Sequence, residues 1–304
     1  MQEIIQSGLI FIQNIQQVQS PFLNMLFQIF SFLGSETFYI IFFSALFWCF
    51  NCRLGIRIGI LFLVSLYLNT WLKILFQQPR PFDLLPILQL SNAEGFGLPS
   101  GHAQSSILVW LSFAYENKKQ KLFLFVLFLS FMIGFSRIYL GVHFPHDVIG
   151  GWLTGGVIFY FYYFQIIPRM KSIEKIKFNY KLQILFIITL LFAFILIFIE
   201  NNDIVRVIGA ITGIGWGLVL NNHFIHFEGN GGSIRQKAAR FCIGGVGIIF
   251  LYYALILMVS QTYMLKYKII YFIQYVLLGL WITAGAPWIF LNLDLLGEKI
   301  NWKK

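Results

Sequence analysis

Apolar runs of membrane-crossing length, separated by short polar connections, dominate the chain from residue 36 to residue 292. A helix needs about 20 mostly apolar residues to cross the hydrocarbon layer. On that scale the pattern predicts nine spans, at 36–50, 55–77, 102–116, 121–141, 147–167, 182–199, 204–221, 241–260 and 269–292. Residues 1–34 read differently. Ile4, Ile5, Leu9, Ile10, Phe11, Ile12 and Ile15 interleave with Gln2, Gln6, Gln13, Gln16 and Gln17, and no lysine or arginine occurs. That is the amphipathic pattern of helices lying along the membrane interface, and without a basic n-region nothing in it argues for cleavage of a signal. The expected fold class is all-α: a polytopic transmembrane helical bundle of about nine spans plus N-terminal interfacial helices. The expected organisation is an interfacial segment at 1–34, a five-span front bundle at 35–168, a basic connection at 169–181 and a four-span extension at 182–304. There is no internal repeat, low-complexity tract or soluble domain.

Composition agrees with this reading. Of 304 residues 58% are hydrophobic, 19% aromatic and only 11% charged, which excludes a soluble globular domain. A net charge of +10 would ordinarily raise nucleic-acid binding, but its placement marks topology instead. Arg53 and Arg57; Lys118, Lys119 and Lys121; Arg169, Lys171, Lys175, Lys177 and Lys181; Arg235, Lys237 and Arg240; and Lys299, Lys303 and Lys304 fall in alternate connections, 16 of the 22 cations. The positive-inside rule makes those connections cytoplasmic. Arg206, Lys266 and Lys268 fall on the opposite side. High Ile, Phe, Lys and Asn content with short loops suits an AT-rich bacterium and hence its cytoplasmic membrane. Cys49, Cys52 and Cys242, an odd count near cytoplasmic helix ends, read as small apolar packing residues kept reduced.

Three cations remain, Lys73, Arg80 and Arg137, and they keep company with histidines. Residues 136–151 set Arg137, His143 and Asp147 within one short turn between apolar segments. Pro145 suits the first position of a helix, which places Asp147 in its first turn. There it can grip the ring of His143, fixing the tautomer and raising its basicity for proton transfer or direct attack. Upstream, Lys73 precedes Arg80 and Pro81 near the exit of the second span. The run Leu98-Pro99-Ser100-Gly101-His102 opens the third, with Ser100 a natural N-cap and Gly101 admitting close backbone approach. A helix N-terminus with free N–H groups is an anion site. Three cations less one carboxylate leave +2, matching a phosphate monoester at about −1.5 to −2. Placing each cation near hydrocarbon unpartnered costs about 2.5–3.5 kcal/mol, so the cluster calls for an anion. On the same side rule, these loops face away from the cytoplasm, toward periplasm or exterior.

Duller readings apply to neighbouring groups. His146 lies beside Asp147 but outside the pattern and is expected to face elsewhere. Asp83 and Glu94 read as solvated. His223, His226 and Glu228 fall in a cytoplasmic connection and are not expected to hold a metal. Gly209, Gly213, Gly215 and Gly217 suggest close helix packing.

Lys73 with Arg80-Pro81, Pro99-Ser100-Gly101-His102, and Ser136-Arg137 with His143 and Asp147 resemble, complete and in order, the three signature motifs of the type 2 phosphatidic acid phosphatase superfamily, which includes the vanadium-dependent haloperoxidases. The resemblance covers roughly residues 20–167. It implies an α-helical bundle in which His143 is the nucleophile of a phosphohistidine intermediate, Asp147 its orienting partner and His102 the acid for the leaving oxygen. Lys73, Arg80, Ser100, Gly101 and Arg137 would bind the phosphoryl oxygens, with no metal or other cofactor. The apolar loop from Phe82 to Leu98 carries no basic residue, which favours a phospholipid, polyprenyl or lipid A type phosphate, or a lipid pyrophosphate, entering from the bilayer. The nine-span layout and the run Tyr139–His146 also resemble glucose-6-phosphatase and its relatives, which would imply a soluble sugar phosphate. A third reading, a non-catalytic lipid-headgroup transporter, leaves the acid, base and nucleophile positions without a role.

Overall fold

The computed structural model describes residues 2–169, 178–196, 198, 199, 201–258 and 268–296. Most of the basic connection 169–181, together with Lys266, Lys299, Lys303 and Lys304, lies outside those residues. Among the described residues every regular element is helical. The helices are α1 Gln2–Gln16, α2 Pro21–Phe32, α3 Glu36–Ala45, α4 Cys52–Phe76, the single turn α5 Pro81–Leu84, α6 Gly101–Asn117, α7 Gln120–Tyr139, α8 Pro145–Tyr160, α9 Phe178–Ile195, α10 Asn202–Leu220, α11 Ile234–Met258, α12 Lys268–Leu280 and α13 Ala286–Asn292. The chain forms two compact units, Met1–Ile40 with Val64–Lys171, and Ile41–Leu63 with Ser172–Lys304.

Six helical segments among the described residues are long and apolar enough to cross a membrane, or seven if a bent pair counts as one span. They correspond to six of the nine expected spans, and the expected span at 36–50 is the second half of the bent pair, Pro21–Phe32 with Glu36–Phe50. The other two expected spans are α6 and α8. At 17 residues with buried Gln104, Ser105, Ser106 and Ser112, α6 is short and internally polar. α8 opens on Pro145, His146 and Asp147. Both helices open on polar segments, which shorten their apolar runs.

In the first unit α6 packs against α7 and α8. Asp147, Gly151 and Gly155 are spaced by four on one face of α8, and a side chain at either glycine would collide with α6: a Cβ on Gly151 would lie 2.5 Å from Ser100 O, one on Gly155 2.4 Å from Gln104 O. This close approach brings Asp147 to the start of α6, where Ser100 N donates to Asp147 O at 2.9 Å. The turn from α7 to α8 needs Gly141, whose φ is +70° and whose added Cβ would meet Leu88 O at 1.9 Å. The amphipathic N-terminal residues form α1 and α2, and both pack on α7. Ile12 is buried with Leu88, Ala103, Ile138, Phe144 and Val148, while Phe27 is buried with Tyr139, Leu140 and Val142.

In the second unit α10 lies against α12 and the turn that follows it through glycines: added Cβ atoms on Gly209 and Gly213 would meet Phe272 O at 2.7 Å and Val276 O at 2.1 Å of α12, and one on Gly217 would meet Thr283 Oγ1 just beyond it at 1.9 Å. Gly215, on another face, meets Leu185 of α9. Arg240, read from sequence as a loop cation, is buried and donates to Trp48 O, Gly229 O, Gly231 O and Leu295 O at 2.9, 3.1, 2.6 and 2.8 Å. Its charge ties the ends of four segments together. Cys49 and Cys52 are buried in this core, whereas Cys242 is exposed; all three are free thiols. His223 stacks on Phe178, with ring centroids 3.7 Å apart.

Candidate active site

Three loops of the first unit meet at His143. Pro145 at N1 starts α8, and Asp147 at N3 turns its carboxylate back toward the helix start, where Oδ2 accepts from Phe144 N at 2.9 Å. The same oxygen lies 3.3 Å from His143 Nδ1. On the other side of the ring, Arg80 Nη1 lies 3.2 Å from His143 Nε2. A guanidinium can only donate, and a carboxylate can only accept. The two contacts together therefore put the imidazole proton on Nδ1 and the lone pair on Nε2. The ring is 2% exposed, and burial, with Arg80, Arg137 and Lys73 around it, holds its pKa well below the ordinary histidine range. At neutral pH the ring is uncharged, with its lone pair on Nε2 beside Arg80.

Arg80 is fixed by the loop it anchors. Its Nε donates to Gly95 O at 2.7 Å, Nη2 to Glu94 O at 2.7 Å and Nη1 to Val142 O at 2.9 Å. Asp83 and Glu94 are both exposed, yet Asp83 Oδ2 also caps the short α5 by accepting from Arg80 N at 2.7 Å. Arg137, in the last turn of α7, gives its backbone oxygen to Val142 N and His143 N, at 3.1 and 3.2 Å. That pair of bonds folds the loop carrying His143 back over the arginine. Arg137 Nη1 donates to Ser31 Oγ, while its Nε is buried with no hydrogen-bond partner.

Ser100 ends in the same state. It occupies the N-cap position of α6, but its hydroxyl makes no capping bond and is buried without a partner. The backbone N–H groups that open α6 are the orphan donors of any helix start. Buried donors left unpaired cost about 1–3 kcal/mol each, so Ser100 Oγ and Arg137 Nε are groups that an anion would satisfy. His102 follows in the first turn of α6, and Arg137, Lys73 and Arg80 all act on it electrostatically.

A buried polar network underlies this turn. Asn69 Nδ2 donates to Pro99 O at 3.2 Å and to Gln104 Oε1 at 2.9 Å; Gln104 Nε2 donates to Ser65 Oγ at 2.8 Å; Thr154 Oγ1 donates to Gln104 Oε1 at 3.0 Å. It joins α4, α6 and α8 beneath the turn that opens α6. Ser65, Asn69 and Lys73 are spaced by four on α4, so one helix face carries both the network and the lysine. Gly101 sits against it, since an added Cβ would lie 3.2 Å from Asn69 Oδ1.

The structure thus brings His143, Asp147, Arg80, Arg137, Ser100 and His102 around one spot, with Lys73 half-buried on the α4 face that leads to it. The expectation for His146 is corrected. Its Nε2 accepts from Gln78 Nε2 and lies 3.4 Å from Asp147 Oδ1, and its ring stacks on Phe144. Consecutive helical residues ordinarily diverge, but Asp147 points back along the helix, which exposes its second oxygen to His146. Ser31, Asn69, Gln104 and Thr154 were not singled out in the sequence; the only trace was a polar residue inside an apolar helix, repeated at spacing four on α4.

Comparison with known proteins gives a consistent picture. The model described as PAP2 superfamily matches residues 54–171, which include every motif residue above. The model described as PAP2 superfamily phosphatase, transmembrane extension, matches residues 205–299. Sphingosine-1-phosphate phosphatase 1 of Rattus norvegicus is 30% identical over 201 residues, 61% of this chain and 45% of that protein. Phosphatidylglycerophosphatase B of Bacillus subtilis (strain 168) is 28% identical over 156 residues, 47% of this chain and 75% of that protein. The crystal structure of a transmembrane PAP2 type phosphatidylglycerolphosphate phosphatase from Bacillus subtilis aligns with a TM-score of 0.46 and 23% identity, covering 53% of this chain and 84% of that one. The chain spans less than half the length of the sphingosine-1-phosphate phosphatases it matches. With its motif segments inside one match and its rear helices inside the other, the chain carries a PAP2 superfamily domain over residues 54–171 and a PAP2 superfamily transmembrane extension over residues 205–299.

Proposed function

We propose that the protein is an integral membrane phosphatase that hydrolyses a lipid phosphate or lipid pyrophosphate on the non-cytoplasmic side, through a phosphohistidine at His143. The observation that carries this reading is the imidazole held between Asp147 Oδ2 and Arg80 Nη1, at 3.3 and 3.2 Å, beside two buried unpaired donors. His143 Nε2 turns from Arg80 to the phosphorus and forms an N–P bond as the P–O bond to the alcohol breaks. His102 gives its proton to the departing alkoxide. A water then loses a proton to His102 as its oxygen bonds phosphorus; the N–P bond breaks and inorganic phosphate leaves. Lys73, Arg80, Arg137, Ser100 Oγ and the N–H groups from Gly101 onward neutralise the equatorial oxygens, the main demand of phosphoryl transfer.

A lipid substrate is favoured by the loop after Arg80. Leu84, Ile87 and Phe96 are exposed there, Ile87 at 82%, and no lysine or arginine lies between Arg80 and Leu98. The relatives named above act on sphingosine-1-phosphate and phosphatidylglycerophosphate. The non-cytoplasmic side follows from the basic connections. Inorganic phosphate release from detergent-dispersed phospholipid, polyprenyl and lipid A type phosphates, set against hexose phosphates, tests the reading. Lipids should give the higher kcat/KM by at least about tenfold, the equivalent of about 1.4 kcal/mol of binding. Turnover of hexose phosphates alone would replace the lipid reading with the sugar phosphate one, and release from none of them would remove both. Because fixed cations supply the charge neutralisation, EDTA is expected to leave the rate unchanged; a strict magnesium requirement would count against the histidine route.

Asp147→Asn keeps the shape and an acceptor for Phe144 N but deletes the negative charge that stabilises the phosphorylated ring. Phosphoenzyme formation, read by rapid quench, should slow by about 10²–10⁴-fold. Equal rates in variant and parent would remove the orienting role.

A further inference from the structure

Ser31 lies 106 residues from Arg137 in sequence, outside both matched stretches, yet its Oγ accepts the hydrogen bond of the Arg137 guanidinium. α2 is built to deliver it. Asn24, Phe27 and Ser31, at i, i+3 and i+7, form the stripe of α2 that faces α7. Tyr139 OH donates to Asn24 Oδ1 at 2.7 Å, and the Phe27 ring lies 4.3 Å from Tyr139 and 5.6 Å from Phe135. Phe22, Met25, Ile29 and Phe32 occupy the opposite, exposed stripe. The helix then breaks, bending by 55° into α3. At the break, a Cβ on Gly34 would lie 2.5 Å from Ile133 Cγ2 and 3.2 Å from His102 Cδ2, so the backbone of the bend lies against the second site histidine.

We propose that Ser31 is a positioning residue of the phosphate site, holding Arg137 Nη1 so that the guanidinium presents its Nε edge to two phosphoryl oxygens; this rests on the phosphatase reading of the same site. Ser31 and Arg137 are 7% and 4% exposed, so no water competes freely for the bond. The plane of the guanidinium decides whether it can bind oxygens as a fork rather than as a point charge. One hydroxyl sets that plane. The buried, unpartnered Nε is the donor left for the ligand.

The test is Ser31→Ala in the full-length protein, reading kcat/KM on a lipid phosphate, the inhibition constant of inorganic phosphate, and thermal unfolding. A hydrogen bond to a charged group governs about 10- to 100-fold, so kcat/KM should fall and the phosphate inhibition constant should rise by that factor, with unfolding unchanged. Ser31→Thr, which keeps the hydroxyl, should stay within a few-fold of the parent. Should the alanine variant not fold, Ser31→Cys reads the same bond with a weaker acceptor. In an Arg137→Ala background Ser31→Ala should add no further loss of phosphate affinity, measured by calorimetry, because the two act as one unit. A full additive loss there, or parental constants in Ser31→Ala, would overturn the proposal. If the parent proves inactive on every substrate but its phosphate affinity still depends on Ser31, the phosphatase reading fails and the positioning role stands; if His143→Ala is inactive and Ser31→Ala is normal, only the positioning role fails.

Discussion

His143→Ala should reduce phosphate release by about 10⁴-fold or more, since losing the nucleophile of a covalent mechanism removes the route rather than weakening it. The protein should remain folded. Arg80 keeps three carbonyl partners, Gly95, Glu94 and Val142, without the imidazole, and Asp147 keeps the N–H of Phe144. The loop is also pinned through the backbone of residue 143, whose N–H goes to Arg137 O at 3.2 Å. Turnover, acid-labile phosphoenzyme and thermal unfolding measured on one preparation separate the outcomes. Loss of turnover and label with normal unfolding fits the mechanism, whereas parental turnover excludes it.

His102→Ala should depend on what leaves. A proton donor matters most when the departing oxygen is a poor leaving group, so an alkyl phosphate such as a lipid should lose about 10²–10⁴-fold. With p-nitrophenyl phosphate the phenolate departs without help, and the first step should survive. The second step still lacks its base, so the variant should release one equivalent of nitrophenol in a burst and then turn over slowly. Equal losses on both substrates, with no burst, would move the acid role to another residue. His102 is held by the first turn of α6 and by the α2–α3 bend, with Gly34 against its ring.

Arg80 and Arg137 make different use of the same side chain. Arg80 is engaged by loop carbonyls and by His143, so it organises the loop and orients the imidazole. Arg137 keeps a buried Nε unpaired. The sequence treated them alike because each stands beside its motif in the same way.

Much of the fold was legible because membrane helices announce themselves by the length of their apolar runs, a local property. Six of nine expected spans recur as apolar helices of membrane length. The two that fall short, α6 and α8, are the ones whose starts hold Ser100, His102 and Asp147. The grouping at the candidate site was legible for a similar reason: His143 and Asp147 are four apart on one loop and helix turn, and Pro145 and Ser100 mark where helices begin.

Taken alone, the sequence determined the membrane class, the segments that meet at the candidate site and the pairing of His143 with Asp147, because run length, capping and spacing are set by covalent neighbours. Only the tertiary structure decided that Ser31 holds Arg137, that Asn69 and Gln104 brace the turn at Pro99, that His146 faces Asp147, and that Arg240 is a buried tie rather than a surface charge. Apart from His146 with Asp147 and Arg240 with Gly229 and Gly231, those contacts join residues from 30 to 192 positions apart. Helix periodicity says which residues share a face but not which face meets which neighbour; that is fixed by glycines such as Gly151 and Gly155 letting two backbones touch.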